Sequence, residues 1–196
     1  MRSHEWRRFL LRIWYSGLAR MEMDWPGHVC LVGNGPLSEA DRGDIAACPF
    51  VVRFNDAKNA LEGEPFDVLV RRENGEAGFH GPFKTGSRPV VLVLNPGSER
   101  APPPLGSRVV EIIAHPATIF GAPTTSPDAS WGATTGAVLL HHLNQRGGSD
   151  RLSTFGMNFL RSEVSEHMHD EGAVLRRHIP ELDYHPPPRS TYLPGA

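Results

Sequence analysis

Only two cysteines, Cys30 and Cys48, occur in the 196-residue sequence, and no pattern around them matches a disulfide framework or a zinc-binding motif. Cys30 lies inside an apolar, strand-like run, where a free cysteine behaves as a small hydrophobic residue. We therefore expect Cys30 to be an unpaired core residue and the protein to work in a reducing cytoplasm.

A large excess of charge of either sign is also missing. The formal net charge is −2, which gives no overall attraction to nucleic acid, so we exclude nucleic acid as a partner. Hydrophobic residues make up 39% of the chain, with 20 glycines and 18 prolines, which is typical of a folded domain with many loops rather than of a disordered chain.

The sequence has no apolar run long enough to cross a membrane. Near the N-terminus the run Phe9–Leu11 is interrupted by Arg12, and no small-residue cleavage site of a signal peptide follows. Residues 1–20 contain five arginines and one acid, and their apolar side chains recur at helical spacing. Two interpretations stay open: an interfacial helix on the inner face of an anionic membrane, or a helix that packs on the domain or on a second subunit.

A short strand-like run opens the folded part of the chain. Val29–Val32 is followed by Gly33-Asn34-Gly35-Pro36, which predicts a buried strand, a tight turn and a helix that begins at Pro36. Such a turn gathers backbone N–H groups and a helix N-terminus at the carboxyl end of a strand, where open α/β sheets hold phosphate. The pattern predicts a nucleotide site, although many glycine-containing strand–helix turns bind no ligand.

Further strand-like runs rich in Val, Leu and Ile follow at intervals, separated by polar segments. Near-continuous apolar runs of this length favour parallel strands covered by helices. We therefore predict an α/β fold, a mostly parallel twisted sheet with helices on both faces, over residues 25–185, with a basic amphipathic segment at 1–24 and a proline-rich tail at 186–196. The predicted strands after the first are Phe50–Asn55, Phe66–Val70, Pro89–Leu94, Val109–Ile113 and Leu152–Phe155.

A second informative stretch is Thr134-Thr135-Gly136, which leads into an apolar helix that ends near Gly147. Either threonine can cap that helix. The same hydroxyls and the N–H groups of the first turn can also hold an anionic group, because the N-terminus of a helix carries partial positive charge. Downstream, residues 166–171 form a cluster of histidines and acids.

Four separated stretches resemble, in order, the motifs of glycosyltransferase family 29, the sialyltransferases. Residues 30–55 are similar to the family's large motif, which begins with an apolar strand and Val-Gly-Asn and ends in a second strand with Arg-x-Asn. Residues 134–136 resemble its small motif, and residues 155–159 resemble the strand and Gly-aromatic end that close it. Residues 167–171 are similar to the short last motif, a histidine followed by a glutamate.

The resemblance implies a Rossmann-like, GT-A-like fold and the transfer of a sialic-acid-like or Kdo-like sugar from a CMP-sugar donor to a hydroxyl of a glycan or glycolipid. His167 or His169 would be the general base, with Glu171 as the acid of that motif; histidine suits this role because it titrates near neutral pH. Family members need no divalent metal, and the chain has no obvious Asp-x-Asp pair, so we expect no metal and no other cofactor. The donor-binding residues implied are Gly33, Asn34, Gly35, Arg53, Asn55, Thr134, Thr135 and Gly136.

Two other interpretations of the sequence stay open. Gly33, Gly35 and Ser38 match the dinucleotide fingerprint except at its third glycine, and Asp56 lies about twenty residues further on, where a ribose-binding acid belongs. A Rossmann-type NAD(P)-binding protein is therefore an alternative. A nucleotide-binding domain that has lost catalytic activity is the other.

Overall fold

The computed structural model contains nine strands and two helices within the part of the chain that it describes. The described residues are 22–55, 57, 59–64, 66–73, 89–94, 108–114, 116, 118–119, 122–123, 134–147, 150–157 and 177–185. The elements are β1 (His28–Val32), α1 (Glu39–Ala47), β2 (Val51–Phe54), β3 (Val68–Glu73), β4 (Pro89–Leu94), β5 (Arg108–Ala114), β6 (Thr118–Ile119), β7 (Ala122–Pro123), α2 (Thr135–Arg146), β8 (Arg151–Phe155) and β9 (Asp183–His185).

Seven of these strands form one parallel sheet in the order β5-β4-β3-β2-β1-β8-β9. In the centre of the sheet, Cys30 of β1 is in register with Val51 of β2 on one side and with Ser153 of β8 on the other. The short strands β6 and β7 form a separate antiparallel pair. The predicted α/β fold with a mostly parallel sheet is confirmed.

The two helices cover opposite faces of the sheet, as the sequence predicts. Successive side chains of a strand point to opposite faces, and β1 is apolar on both. Val29 and Leu31 join an apolar cluster that includes Leu140 of α2. Val32 joins a second cluster that includes Ile45 of α1. Burial on both sides explains why the strands read as continuous apolar runs instead of alternating.

Helix α1 begins three residues later than predicted. Ser38 rather than Pro36 ends the turn, because the Ser38 hydroxyl accepts a hydrogen bond from the Asp41 backbone N–H at 3.1 Å while the Asp41 carboxylate accepts one from the Ser38 N–H at 2.7 Å. This reciprocal capping satisfies two N–H groups at the helix start. The prediction that Pro36 opens the helix is therefore wrong.

Helix α2 matches its prediction at both ends. Thr134 is the N-cap, its hydroxyl accepting from the Ala137 N–H at 3.1 Å, and Gly147 follows the last turn with a φ of 64°. No helix in the described part of the chain is long and apolar enough to span a lipid bilayer.

A buried carboxylate fastens α2 to the edge strand β5. Glu111 is 2% exposed and accepts hydrogen bonds from the Trp25 indole N–H at 2.8 Å and from the Arg146 guanidinium at 2.6 Å. The His142 Nε2 atom lies 2.9 Å from the same carboxylate. Three polar contacts compensate the burial of one charge, so this cluster fixes where α2 lies on the sheet.

The two cysteines form a disulfide bond, Cys30–Cys48, with their Cα atoms 6.3 Å apart. The expectation of an unpaired Cys30 is therefore wrong. The physical reason is the local topology: α1 runs back along the sheet, so its C-cap, Cys48, returns to β1 on the face that Cys30 occupies. A spacing of 18 residues does not reveal this return unless the turn and the helix are already placed.

Candidate functional site

The order of strands reverses at the boundary between β1 and β8. From β1 the chain adds β2, β3, β4 and β5 in one direction, whereas β8 and β9 lie on the other side of β1. In open α/β sheets, ligands bind outside the carboxyl ends of the strands at such a switch point. The segments that follow β1 and β8 there are Gly33–Gly35 and Gly156–Met157.

These two segments contact each other through their backbones. The Gly33 N–H donates to the Phe155 carbonyl at 2.8 Å, and the Gly35 N–H donates to the Gly156 carbonyl at 2.9 Å. A Cβ atom on Gly35 would lie 2.6 Å from the Gly156 oxygen, so the approach requires glycine. Both amides are engaged within the protein, which differs from a turn whose N–H groups hold a phosphate.

The N-terminus of α1 also differs from a phosphate-binding helix end. Its first turn contains Glu39 and Asp41, and the Asp41 carboxylate lies on the Ser38 N–H. A carboxylate there already occupies the positive end of the helix and repels a second anion. The first turn of α2, after Thr134, contains no acid.

Helix α2 begins at the carboxyl edge of the sheet. The next element is β8, which begins at Arg151 after residues 147–150. The Arg151 N–H donates to the Gly27 carbonyl at 2.9 Å, just before β1 begins. The C-terminus of α2 is therefore at the amino edge, and its twelve residues extend about 18 Å toward the carboxyl edge. Of the three predicted residues there, Thr134 is partly exposed, whereas Thr135 and Gly136 are buried.

Asn34 and Asn55 lie at the carboxyl ends of the adjacent strands β1 and β2. The Asn34 side chain is exposed, and its Nδ2 donates to the Phe54 carbonyl at 3.3 Å, next to Asn55. Asn55 has a φ of 51°, a conformation that asparagine tolerates better than most residues, and its Oδ1 accepts from the Arg72 N–H at 3.4 Å. The structure thus brings these two predicted residues to one edge.

Arg53 has a different environment from an exposed ligand-binding arginine. Its side chain is 1% exposed, and its guanidinium donates to Glu64 at 2.6 Å and to the Asn59 Oδ1 at 2.8 Å. Burial lowers the pKa of Arg53, and the Glu64 carboxylate opposes that shift. In this arrangement Arg53 supports the residues around it.

Asn59 connects Arg53 to the turn at residues 33–35. Its Nδ2 donates to the Gly33 carbonyl at 2.8 Å and to the Gly35 carbonyl at 2.6 Å. Glu64 also pairs with Arg42 of α1. Residues 33–35 are therefore held by β8 through their N–H groups and by Asn59 through their carbonyls.

Sequence reasoning missed Asn59, Glu64 and Arg42. One signal was available: Arg53 is a charged residue in the otherwise apolar strand β2, and a buried cation needs a partner. The sequence did not show which of the polar residues beyond β2 would supply that partner.

His185 is a further histidine at this edge, at the end of β9. Its ring stacks on Phe155 with a centroid distance of 4.3 Å, and its Nε2 lies 3.1 Å from Asp183. Burial raises the pKa of Asp183, but the hydrogen bonds from Arg151 and His185 outweigh burial, so the net shift is downward. His185 is thus oriented by a carboxylate, and β9 itself was not predicted.

The predicted catalytic residues His167, His169 and Glu171 lie outside the described residues, as does Asp56, the candidate ribose-binding acid of the dinucleotide alternative. Their roles stay predictions. Neither a protein-family model nor a curated protein matches the chain.

Proposed function

We propose that the chain is a sialyltransferase-like glycosyltransferase. It transfers a sialic-acid-like or Kdo-like sugar from a CMP-sugar donor to a hydroxyl of a glycan or glycolipid. The observation that carries the proposal is that Asn34 and Asn55 lie together at the carboxyl edge, beside the switch point of the sheet, and that α2 begins at the same edge with a first turn free of acids.

Different groups at this edge bind different parts of the CMP-sugar donor. The side-chain amides of Asn34 and Asn55 hydrogen-bond the CMP moiety. The first turn of α2, with Thr134 at its start, binds the phosphate, because its helix dipole meets no acid. Gly33 and Gly35 shape the turn that carries Asn34, and Arg53 holds that turn through Asn59.

The reaction needs a group that takes a proton from the acceptor hydroxyl, and His167 or His169 serves as this general base with Glu171 nearby. The CMP leaving group departs with its charge on phosphate, which a helix N-terminus and amide donors stabilise. The proposed transfer therefore uses no metal.

The dinucleotide-binding alternative has less support. In that arrangement the pyrophosphate lies on the N-terminus of the helix after β1. Here that helix is α1, whose first turn contains Glu39 and Asp41, and two negative groups at one helix end repel each other.

The proposed location is the cytoplasm, with residues 1–20 contacting the inner face of a membrane through their arginines and apolar side chains. The Cys30–Cys48 disulfide removes the cysteine-based reason for this location. Sedimentation with anionic vesicles, compared between the full chain and a chain that lacks residues 1–20, tests the membrane contact; equal sedimentation excludes it.

Thermal unfolding of the full chain with CMP, CDP, UDP, NAD and NADP tests the nucleotide specificity. A ligand that binds only the folded state stabilises it by about 2.7 kcal/mol at one hundred times its dissociation constant. We expect a shift with CMP, a weaker one with CDP and none with NAD. A shift with NAD alone supports the dinucleotide alternative, and no shift with any of the five contradicts the proposed nucleotide site.

Variants then connect binding and transfer to named residues. Asn34→Ala and Asn55→Gly should weaken CMP binding in calorimetry, and glycine is chosen at 55 because it accepts the positive φ without strain. One of His167→Ala and His169→Ala should abolish transfer while CMP still binds. Full transfer by both histidine variants excludes both as the general base.

A further inference from the structure

A histidine lies directly beside the disulfide. His28 and Cys30 are two residues apart in β1, so their side chains lie on the same face of the sheet, and the C-cap of α1 brings Cys48 to that face. The His28 Nε2 atom is 3.6 Å from the Cys30 sulfur. All three donor atoms, one nitrogen and two sulfurs, lie within 4.8 Å of one another.

We propose that His28, Cys30 and Cys48 bind one Zn²⁺ ion when the disulfide is reduced. The pair then has two states, a disulfide in an oxidising compartment and a zinc site in a reducing one. Disulfides are rare where cells keep thiols reduced, and cysteine patterns in proteins of such a compartment more often serve metal binding or catalysis.

The change of state is a balanced exchange. A dithiol reductant transfers two electrons and two protons to the Cys30–Cys48 bond, which breaks to give two thiols, while the reductant becomes a disulfide. Zn²⁺ then displaces both thiol protons to solvent, because thiolates are the ligands of the metal. The two thiolates balance the 2+ charge of the ion, and the neutral imidazole is the third ligand.

The distances fit a tetrahedral site with little rearrangement. Zinc ligand bonds of about 2.3 Å to sulfur and about 2.0 Å to nitrogen place a nitrogen and a sulfur ligand about 3.5 Å apart and two sulfurs about 3.8 Å apart. The separation between His28 and Cys30 already has this value. Only the two sulfurs must move apart, and Cys48 lies at a partly exposed helix end where such a movement is easiest.

A hydroxyl and a carboxylate also lie close to His28. The Ser153 hydroxyl is 3.2 Å from the His28 Nε2 atom and donates to the Asp183 carboxylate at 3.1 Å. A hydroxyl tied to a carboxylate therefore lies next to the metal position. His28 and Cys48 are partly exposed, so solvent can reach the fourth coordination position, which three protein ligands leave open.

Zinc titration of the full chain tests the proposal. The protein is reduced with dithiothreitol, desalted without oxygen and titrated with Zn²⁺ against a chelating dye. We expect one tight site in the reduced protein and none in the oxidised protein. Co²⁺ in place of Zn²⁺ should give the visible bands of a tetrahedral ion and a near-ultraviolet band from its thiolate ligands.

Three variants make the test specific. Cys48→Ser and His28→Gln should each weaken zinc binding by more than about 10-fold. Losing a residue that only supports a ligand already costs about that much, and each of these substitutions removes a direct ligand. His178→Gln, at an exposed position, is the matched control and should bind zinc like the unmodified chain. Circular dichroism checks that every variant is folded.

The proposal fails if the reduced chain binds zinc no more tightly than Cys48→Ser. It fails equally if His28→Gln leaves both the affinity and the cobalt spectrum unchanged. Neither measurement uses CMP or an acceptor, so the outcome is independent of the proposed transferase activity.

Discussion

A Cβ atom on Gly33 would lie 2.5 Å from the carbonyl oxygen of Gly156, closer than real Cβ atoms approach backbone oxygen. Gly33 directly follows β1 and Gly156 directly follows the neighbouring strand β8, so the two turns at the switch point are packed backbone against backbone. This contact fixes the position of Asn34, the exposed residue between Gly33 and Gly35.

Gly33→Ala should lower the free energy of unfolding by about 1–3 kcal/mol or more. That range is the usual cost of adding a methyl group where the structure is tightly packed. The added carbon meets backbone, which cannot rotate away as a side chain can. Urea unfolding gives the free energy of unfolding.

Gly43→Ala is the matched control for that substitution. Gly43 is exposed within α1, and a Cβ atom there meets nothing within 4 Å. Alanine should raise the free energy of unfolding by about 0.5–1 kcal/mol, because it is the better helix former. Similar losses in both variants would contradict the close approach of Gly33 to Gly156.

Glu64→Gln should cost about 3 kcal/mol in the free energy of unfolding. The substitution removes the counter-charge of Arg53, whose side chain is 1% exposed, and a buried cation without a partner charge is costly. Glu64 itself keeps some contact with solvent, so we place the loss at the low end of the range for buried pairs.

Arg42→Gln provides the comparison for Glu64→Gln. Arg42 pairs with the same carboxylate, but its side chain is 20% exposed, so its loss should cost at most about 1 kcal/mol. Urea unfolding of both variants at low and high salt separates the two cases, because salt screens the partly exposed pair more. Equal losses would exclude Arg53 as the residue that depends on Glu64.

Most of the fold could be predicted because its determinants are local. Apolar runs flanked by breakers predict strands such as Pro89–Leu94, whose predicted bounds match β4. The threonine before α2 and the glycine after it predict both helix ends. The order of the strands in the sheet is a long-range property, and β9, with only three residues, has no apolar run to reveal it.

The site was less predictable because several of its contacts join residues that are distant in the sequence. Asn34 and Asn55 follow predicted strands, so their common edge follows from the parallel sheet. The partners of Arg53 depend on how the chain between β2 and β3 folds back, and no local pattern in that segment identifies Asn59. The pairing of Cys30 with Cys48 likewise depends on where a whole helix ends.

Cys48→Ser should lower the stability of the oxidised protein by about 3 kcal/mol. The disulfide closes a loop of 18 residues that contains the glycine turn and α1, and a cross-link of that span removes conformational entropy from the unfolded chain. The same substitution should have little effect when metal-free protein is compared under reducing conditions. A similar loss in both conditions would attribute the effect to packing at residue 48.

His141→Gln should make the stability less dependent on pH between about pH 7 and pH 5, around the ordinary histidine pKa. His141 lies in α2 and is 8% exposed; burial lowers its pKa below 6.5, and the nearby His142 and His178 lower it further. The unfolded chain therefore binds a proton at this position before the folded protein does, so the free energy of unfolding falls as the pH falls through 6.5, by at most about 1.4 kcal/mol per pH unit.

Urea unfolding at several pH values measures this slope for the unmodified chain, for His141→Gln and for the exposed-site control His178→Gln. The control should keep most of the slope, because burial of His141 is the largest cause of its shifted pKa and stays in place. Histidines that do not interact with His141 contribute alike to all three proteins and cancel in the comparison, whereas His142 and His178 interact with it and contribute to the measured difference. Parallel curves for the unmodified chain and His141→Gln would show that His141 is protonated in the folded protein as readily as in the unfolded chain.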